Sequence, residues 1–298
     1  MSTPLVHCIA YVRLPTGKPA ASAHFASEIC GLERNDTPQG DPGFRIDARF
    51  RALVFLPQPD AEASLGVELR DEAAFERAVE ALRSAGIAYA IADANACAAR
   101  EVRGAILTRD PSGNTVELVL GPRLTARRFF PTRDCGVIGL QGAGLRSTDL
   151  GADTRFWCDL FGASVADRVG DITYIRMDEM HHRLALYPSA SAGLLNVVLE
   201  VESLDLLMQN YYFMGQRQVR VLQGPGRNVA SGEAFLHLAG PEGLIITFAT
   251  EMTRNGAAPR RARQFAPNPE GLCAWGSTCP DVAEFSGATP SHWKRRSL

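Results

Sequence analysis

Nothing in this chain marks it for a membrane, for export or for nucleic acid. No apolar run approaches the roughly 18 residues needed to cross a bilayer. The start, MSTPLVHCIAYVRL, lacks the basic opening and long apolar stretch of a secretory leader. The seven cysteines (Cys8, Cys30, Cys97, Cys135, Cys158, Cys273, Cys279) are scattered and odd in number. They form no CxxC, which argues against zinc ribbons and disulfide frameworks and fits a reducing compartment. With a formal net charge of −2, the chain has no electrostatic footprint for DNA, RNA or anionic lipid. No P-loop or serine elbow occurs, and QGPGRN does not have the GxGxxG spacing. The expectation is a cytoplasmic protein whose partner is a small molecule.

Present instead is enough apolar material, 46% of 298 residues, for two domains. The halves repeat one another. HFASEICGLE (24–33) resembles RFWCDLFGAS (155–164), and Gly31 matches Gly162. LGVELRDEAAFERAVEALRSAGI (65–87) resembles VVLEVESLDLLMQNYYFMGQRQV (197–219), and Glu68 matches Glu200. RDPSGNTVELVLG (109–121) resembles LAGPEGLIITFAT (238–250), and Pro111 matches Pro241. Three blocks in one order at nearly one offset indicate a duplicated unit of about 130 residues, an ordinary domain length. Within each unit a strand leads into an amphipathic helix and then further strands, and the pattern recurs at half length. In EAAFERAVEALRS, Phe75, Val79 and Leu82 share one helical face.

These patterns predict an α+β chain of tandem βαβββ modules, paired into two domains that each curl a mixed sheet around a cavity. The expected boundaries are 1–133 for a structural first domain, 134–252 for a second domain with the cavity, and 253–298 for an extended tail. The tail is rich in Pro, Gly and Arg without periodicity, and is expected to wrap the second domain or a neighbouring subunit.

Paired βαβββ modules, GLE closing the first helix, DPSGNTVEL closing the first domain, and HHRLALYP…NVVLEVESLD together resemble the vicinal oxygen chelate superfamily. Within it, the chain is most similar to two-domain type I extradiol (catechol 2,3-type) dioxygenases, over roughly residues 5 to 252. The resemblance implies a homo-oligomer acting on an aromatic or phenolic substrate. It also implies Fe(II) or Mn(II) held in the second domain by two histidines and a glutamate. The matching positions here are Gly142, Asn196 and Thr247, and the first domain has Tyr11, Ser64 and Glu117 in their place. All three ligands are therefore changed, and the sequence expectation is a metal-independent site with no cofactor.

By the same resemblance, His182 falls where the family has an acid/base histidine, and His237 where it has a hydrogen-bonding tyrosine. Both are candidate catalytic residues, since imidazole gives and takes protons near neutrality. Tyr174, Arg176, Asn196, Asn228 and Thr247 are candidate substrate-binding residues, with Arg227 on the same loop as Asn228. His7, His24 and His292 are expected in surface or packing roles.

Three functions fit this set. One is an enzyme using histidine acid/base chemistry on an aromatic, phenolic or quinone-like molecule, as an isomerase, lyase, C–C hydrolase or cofactor-free oxygenase. A second is an extradiol dioxygenase holding Fe(II) or Mn(II) through His181, His182 and His237. The third is a non-catalytic binder of an aromatic ligand.

Overall fold

Four βαβββ modules follow one another along the chain, each opened by a strand that leads into a helix. The computed structural model describes residues 3–254 and 261–287. His292 and the basic end of the tail lie outside the described residues. The first module runs β1 (Val6–Pro15), α1 (Pro19–His24), β2 (Glu33–Arg34), β3 (Gly43–Arg45) and β4 (Leu53–Leu56). The second runs β5 (Ser64–Leu69), α2 (Glu72–Ser84), β6 (Tyr89–Ile91), α3 (Ala94–Arg100), β7 (Val102–Arg109) and β8 (Thr115–Pro122). The third comprises β9 (Val137–Ser147), α4 (Leu150–Arg155), β10 (Ser164–Val169), β11 (Ile172–Arg176) and β12 (Leu184–Pro188). The fourth comprises β13 (Gly193–Val201), α5 (Leu204–Gln216), β14 (Val221–Arg227), β15 (Ala234–Ala239) and β16 (Ile245–Thr250). Beyond them come β17 (Arg263–Phe265) and α6 (Pro269–Leu272).

The helix starts are legible one by one. Pro19 stands in the first turn of α1, while Asp71, Asp149 and Ser203 accept from the backbone N–H of Ala74, Ala152 and Leu206. Both α1 and α4 continue into a π-helical turn, Phe25–Ile29 and Phe156–Leu160. Soon after each, a glycine with positive φ, Gly31 or Gly162, turns the chain back.

The expected α+β architecture is present. One eight-stranded sheet has the order β2-β3-β4-β1-β5-β8-β7-β6, and a nine-stranded sheet has β14-β15-β16-β13-β9-β12-β11-β10-β17. In each, two modules meet through their first strands, β1 against β5 and β9 against β13, antiparallel. The closing turn of each half docks on the opposite half. Ser112 N–H donates to Asp153 of α4 at 3.0 Å, and Gly193 N–H donates to Asn114 at 2.6 Å. Reciprocally, Glu242 accepts from the N–H of Gly17 and Lys18 just before α1.

The two sheets differ at their centres. In the first, Tyr11 and Arg100 both donate to the buried Glu117, and Arg13 stands 3.7 Å away. A carboxylate so neutralised is a structural group. In the second sheet the corresponding space is a cavity.

Candidate active site

Strands β9, β11, β13, β15 and β16 turn one face each toward a cavity of about 630 Å³, its open mouth included. Gly142, Tyr174, His182, Asn196, Asn228, His237 and Thr247 all line it. Arg176 does not. It stands on the last rung of the β10–β11 ladder, opposite Ser164, and its Nε donates to Ser164 Oγ at 3.2 Å. The alternation that faces Ile172 and Tyr174 inward has run past the cavity by residue 176. Arg227 is likewise occupied elsewhere, by Gly232 O at 2.6 Å and by the ring of Trp275.

His182 ends a buried chain of polar groups. Asp167 on β10 receives Nε2 of His181 at 2.8 Å, and Nδ1 of His181 meets Nδ1 of His182 at 3.0 Å. Burial pushes the Asp167 carboxyl up, but hydrogen bonds from Arg263 and His181 outweigh it and hold the group below its ordinary value. An ionised Asp167 only accepts, so His181 carries a proton on Nε2, and in the neutral ring its Nδ1 accepts from His182 Nδ1–H. His182 is then left with a proton-free Nε2 in a ring that lines the cavity. Burial, with the neighbouring His181 and Arg183, drives the His182 imidazole well below its ordinary value, so it rests neutral.

His237 is fixed in the complementary tautomer. Asn196 Nδ2 donates to Thr247 Oγ1 at 2.7 Å, and Thr247 Oγ1 lies 2.8 Å from His237 Nδ1. The hydroxyl hydrogen of Thr247 has no other acceptor among these bonds, so it goes to Nδ1 and the His237 ring proton sits on Nε2. Burial pushes His237 down to about 3. The ring is stacked between Phe235 at 4.6 Å and Phe285 at 4.1 Å. The site thus holds one imidazole as acceptor and one as donor.

Several groups at the cavity lay outside the sequence reading. Glu233 is fully buried, and burial lifts its carboxyl to about 7 despite a hydrogen bond from Gln141 Nε2. Its signal was present in the alternation Glu233, Phe235, His237 along SGEAFLHL, which puts all three on one strand face. Gln141 Oε1 and Asn196 Oδ1 are buried acceptors without a protein partner. Phe285 and Leu272 reach the cavity from the tail, with no local pattern to announce them. Tyr174 packs its ring 4.6 Å from His182 and accepts from Asn228 Nδ2 at 2.8 Å.

Gly142, Asn196 and Thr247 do converge on one cavity, yet they do not fit Fe(II) or Mn(II). They supply no imidazole and no carboxylate, and Asn196 and Thr247 spend their facing atoms on each other. A Cβ at Gly142 would lie 2.6 Å from the Arg183 carbonyl oxygen, and one at Gly144 would lie 2.2 Å from Asn196 Oδ1. The alternative set His181, His182 and His237 is not a group within reach of one ion among the described residues. Among the described residues, the group of three donors within reach of one ion is His7, Cys8 and Glu68. There Arg49 donates to Cys8 Sγ at 3.1 Å, a guanidinium where a cation would sit.

Residues 139–248 match the family described as Glyoxalase/Bleomycin resistance protein/Dioxygenase superfamily. The chain is 26% identical to an iron-dependent extradiol dioxygenase of Rhodococcus jostii (strain RHA1), covering 83% of this chain and 89% of that protein. It is 28% identical to a 1,2-dihydroxynaphthalene dioxygenase of Sphingobium xenophagum, covering 75% of this chain and 81% of that protein. The fold is shared with the Mn(II)-bound glyoxalase from Novosphingobium aromaticivorans, at a TM-score of 0.82 and 18% identity over 98% of this chain and 97% of that one. The expectation of no cofactor is overturned by these relatives, one iron-dependent and one Mn(II)-bound by name. Ligand substitution at three positions was too narrow a ground for it, since it speaks only for those positions. No helix of the described residues is long and apolar enough to cross a membrane.

Proposed function

We propose that this chain, whose residues 139–248 match the Glyoxalase/Bleomycin resistance protein/Dioxygenase superfamily, is an enzyme of aromatic-compound metabolism working by proton transfer. Its substrate is a phenolic, dihydroxyarene or quinone-like molecule held in the cavity of the second sheet. The observation that carries this reading is the pair of buried imidazoles, His182 and His237, each engaged through Nδ1 and both lining one cavity.

A substrate hydroxyl beside His182 gives its proton to Nε2, and the same nitrogen returns a proton to the product, so His182 serves as general base and then general acid. Its low basicity at rest keeps it unprotonated and ready to accept throughout the neutral range. His237 Nε2–H donates to a substrate oxygen on which negative charge develops, and burial between two phenyl rings strengthens that bond. Asn196 Oδ1 and Gln141 Oε1 accept further donors from the ligand, since a buried acceptor left unmet costs about 1–3 kcal/mol. Tyr174 and Phe235 wall the ring.

The test is incubation of wild type, His182→Gln and His237→Gln with 1,2-dihydroxynaphthalene, the compound named for one relative, followed by calorimetry for binding and mass spectrometry for product. Wild type should bind and convert it, and His182→Gln should bind with turnover slower by about 10²–10⁴-fold. Turnover unaffected by both changes rejects the assignment.

A second reading, sequestration of the aromatic ligand without chemistry, is favoured by one feature. Tail residues Leu272 and Phe285 help line the cavity, and Phe285 stacks on His237. Binding by wild type without product, weakened by either histidine change, would select it.

A further inference from the structure

The buried chain that ends at His182 begins in the tail. Arg263 on β17 gives Asp167 two side-chain hydrogen bonds to Oδ2, Nε at 3.1 Å and Nη2 at 2.6 Å, and its backbone N–H donates to Oδ1 at 2.6 Å. The pairing joins residues 96 positions apart, and β17 lies parallel on β10 with Asp167 opposite Arg263. A second bond from Nη2 to Ala230 O at 2.7 Å fixes the guanidinium to the loop that carries Asn228. Asp167 is 1% exposed, whereas the Arg263 side chain is 42% exposed, so the cation reaches the buried acid from the surface.

Resting on the proton-transfer reading above, we propose that Arg263 is a positioning residue, which clamps Asp167 against His181 and so fixes the tautomer that leaves His182 Nε2 bare. The guanidinium takes up Asp167 Oδ2 in a two-pronged bond that allows one carboxylate orientation. In that orientation the same oxygen holds His181 Nε2–H, and the neutral His181 ring accepts through Nδ1 from His182.

When the substrate O–H bond breaks, its proton joins His182 Nε2 while the electron pair stays on the phenolate oxygen. The Nδ1–H of His182 passes to His181 Nδ1. The net products are a phenolate in the cavity and a His181 imidazolium paired with the Asp167 carboxylate, and no co-reactant is needed.

The other charged and titratable groups around this chain are Arg183 on the His182 side, paired with Asp178, and Tyr174, which faces Glu233 and Asp167. None of them contacts Asp167 Oδ2 in place of Arg263.

The experiment uses full-length protein and the chromophoric phenol 4-nitrocatechol, whose ionisation is read from its visible spectrum in a pH titration of the bound complex. Wild type should hold the probe ionised below its free-solution midpoint. In Arg263→Gln the Asp167 carboxylate no longer pins the His181 proton, and the midpoint should move up by about one pH unit, a tenfold loss. Arg263→Lys, which keeps the charge but not the fork, should recover part of that shift. Thermal melts of all three accompany the titration. A purely structural role would lower the melting temperature and leave the midpoint where wild type has it, which overturns the inference, as does a midpoint that moves down. If wild type itself fails to ionise the probe, the proton-transfer reading fails instead, and the two failures are distinguishable.

Discussion

Asn196 donates a 2.7 Å hydrogen bond to Thr247, across the neighbouring strands β13 and β16. These are two of the three positions where the resembled dioxygenases place metal ligands. Here the amide and hydroxyl complete each other, and through Thr247 they set the proton of His237. The two side chains together support an imidazole.

Reversing that exchange gives the first prediction. The double variant Asn196→His, Thr247→Glu puts one imidazole and one carboxylate on adjacent strands and should bind Mn(II) more tightly than the parent, as measured by calorimetry. Equal affinity in both proteins would show that the positions no longer face a common point. Completing the set is obstructed, because even Gly142→Ala brings Cβ within 2.6 Å of the Arg183 carbonyl. That change should cost about 1–3 kcal/mol in denaturant unfolding.

Glu233 provides a prediction with a definite sign. Its carboxyl sits at about 7 in the folded chain, against an unfolded value of about 4.3. Between those values the native state binds the extra proton, so this group favours folding at low pH and loses that contribution as pH rises through 7. Glu233→Gln should therefore melt above wild type at pH 8 and approach it at pH 5. A melting difference that is constant with pH would refute the burial account.

Phe285 shields His237 from the tail side. Phe285→Ala should lower stability by about 3–5 kcal/mol and let water reach the ring. The His237 titration, followed by NMR, should then climb from about 3 toward the ordinary histidine value, since burial is the cause of its depression.

In the first sheet, Glu117→Gln leaves Arg100 and Arg13 without their buried anion. Breaking such a cluster should cost about 3–5 kcal/mol of stability. Ligand affinity at the second-sheet cavity should be unchanged, which separates a structural role from a functional one in a single pair of measurements.

Much of the fold was legible because its signals are local. Caps such as Asp71 and Asp149 act within three residues, turn glycines such as Gly31 and Gly162 act on their own backbone, and strand alternation faces every second side chain to one side. Tyr174 and His237, expected at the cavity from the family resemblance, line it, whereas Arg176, expected on the same strand face as Tyr174, does not, because the strand outruns the pocket.

By itself the sequence determined the repeat and the four modules, since these are matters of residue type at fixed spacing. Only the tertiary structure decided the protonation of the site. Arg263 reaches Asp167 across 96 positions of chain, and Phe285 closes on His237 from 48 positions away. The basicity of Glu233, His182 and His237 depends on burial, which no single residue carries in its identity. HHRLAL supplies the imidazoles; the folded chain around them sets which nitrogen holds the proton.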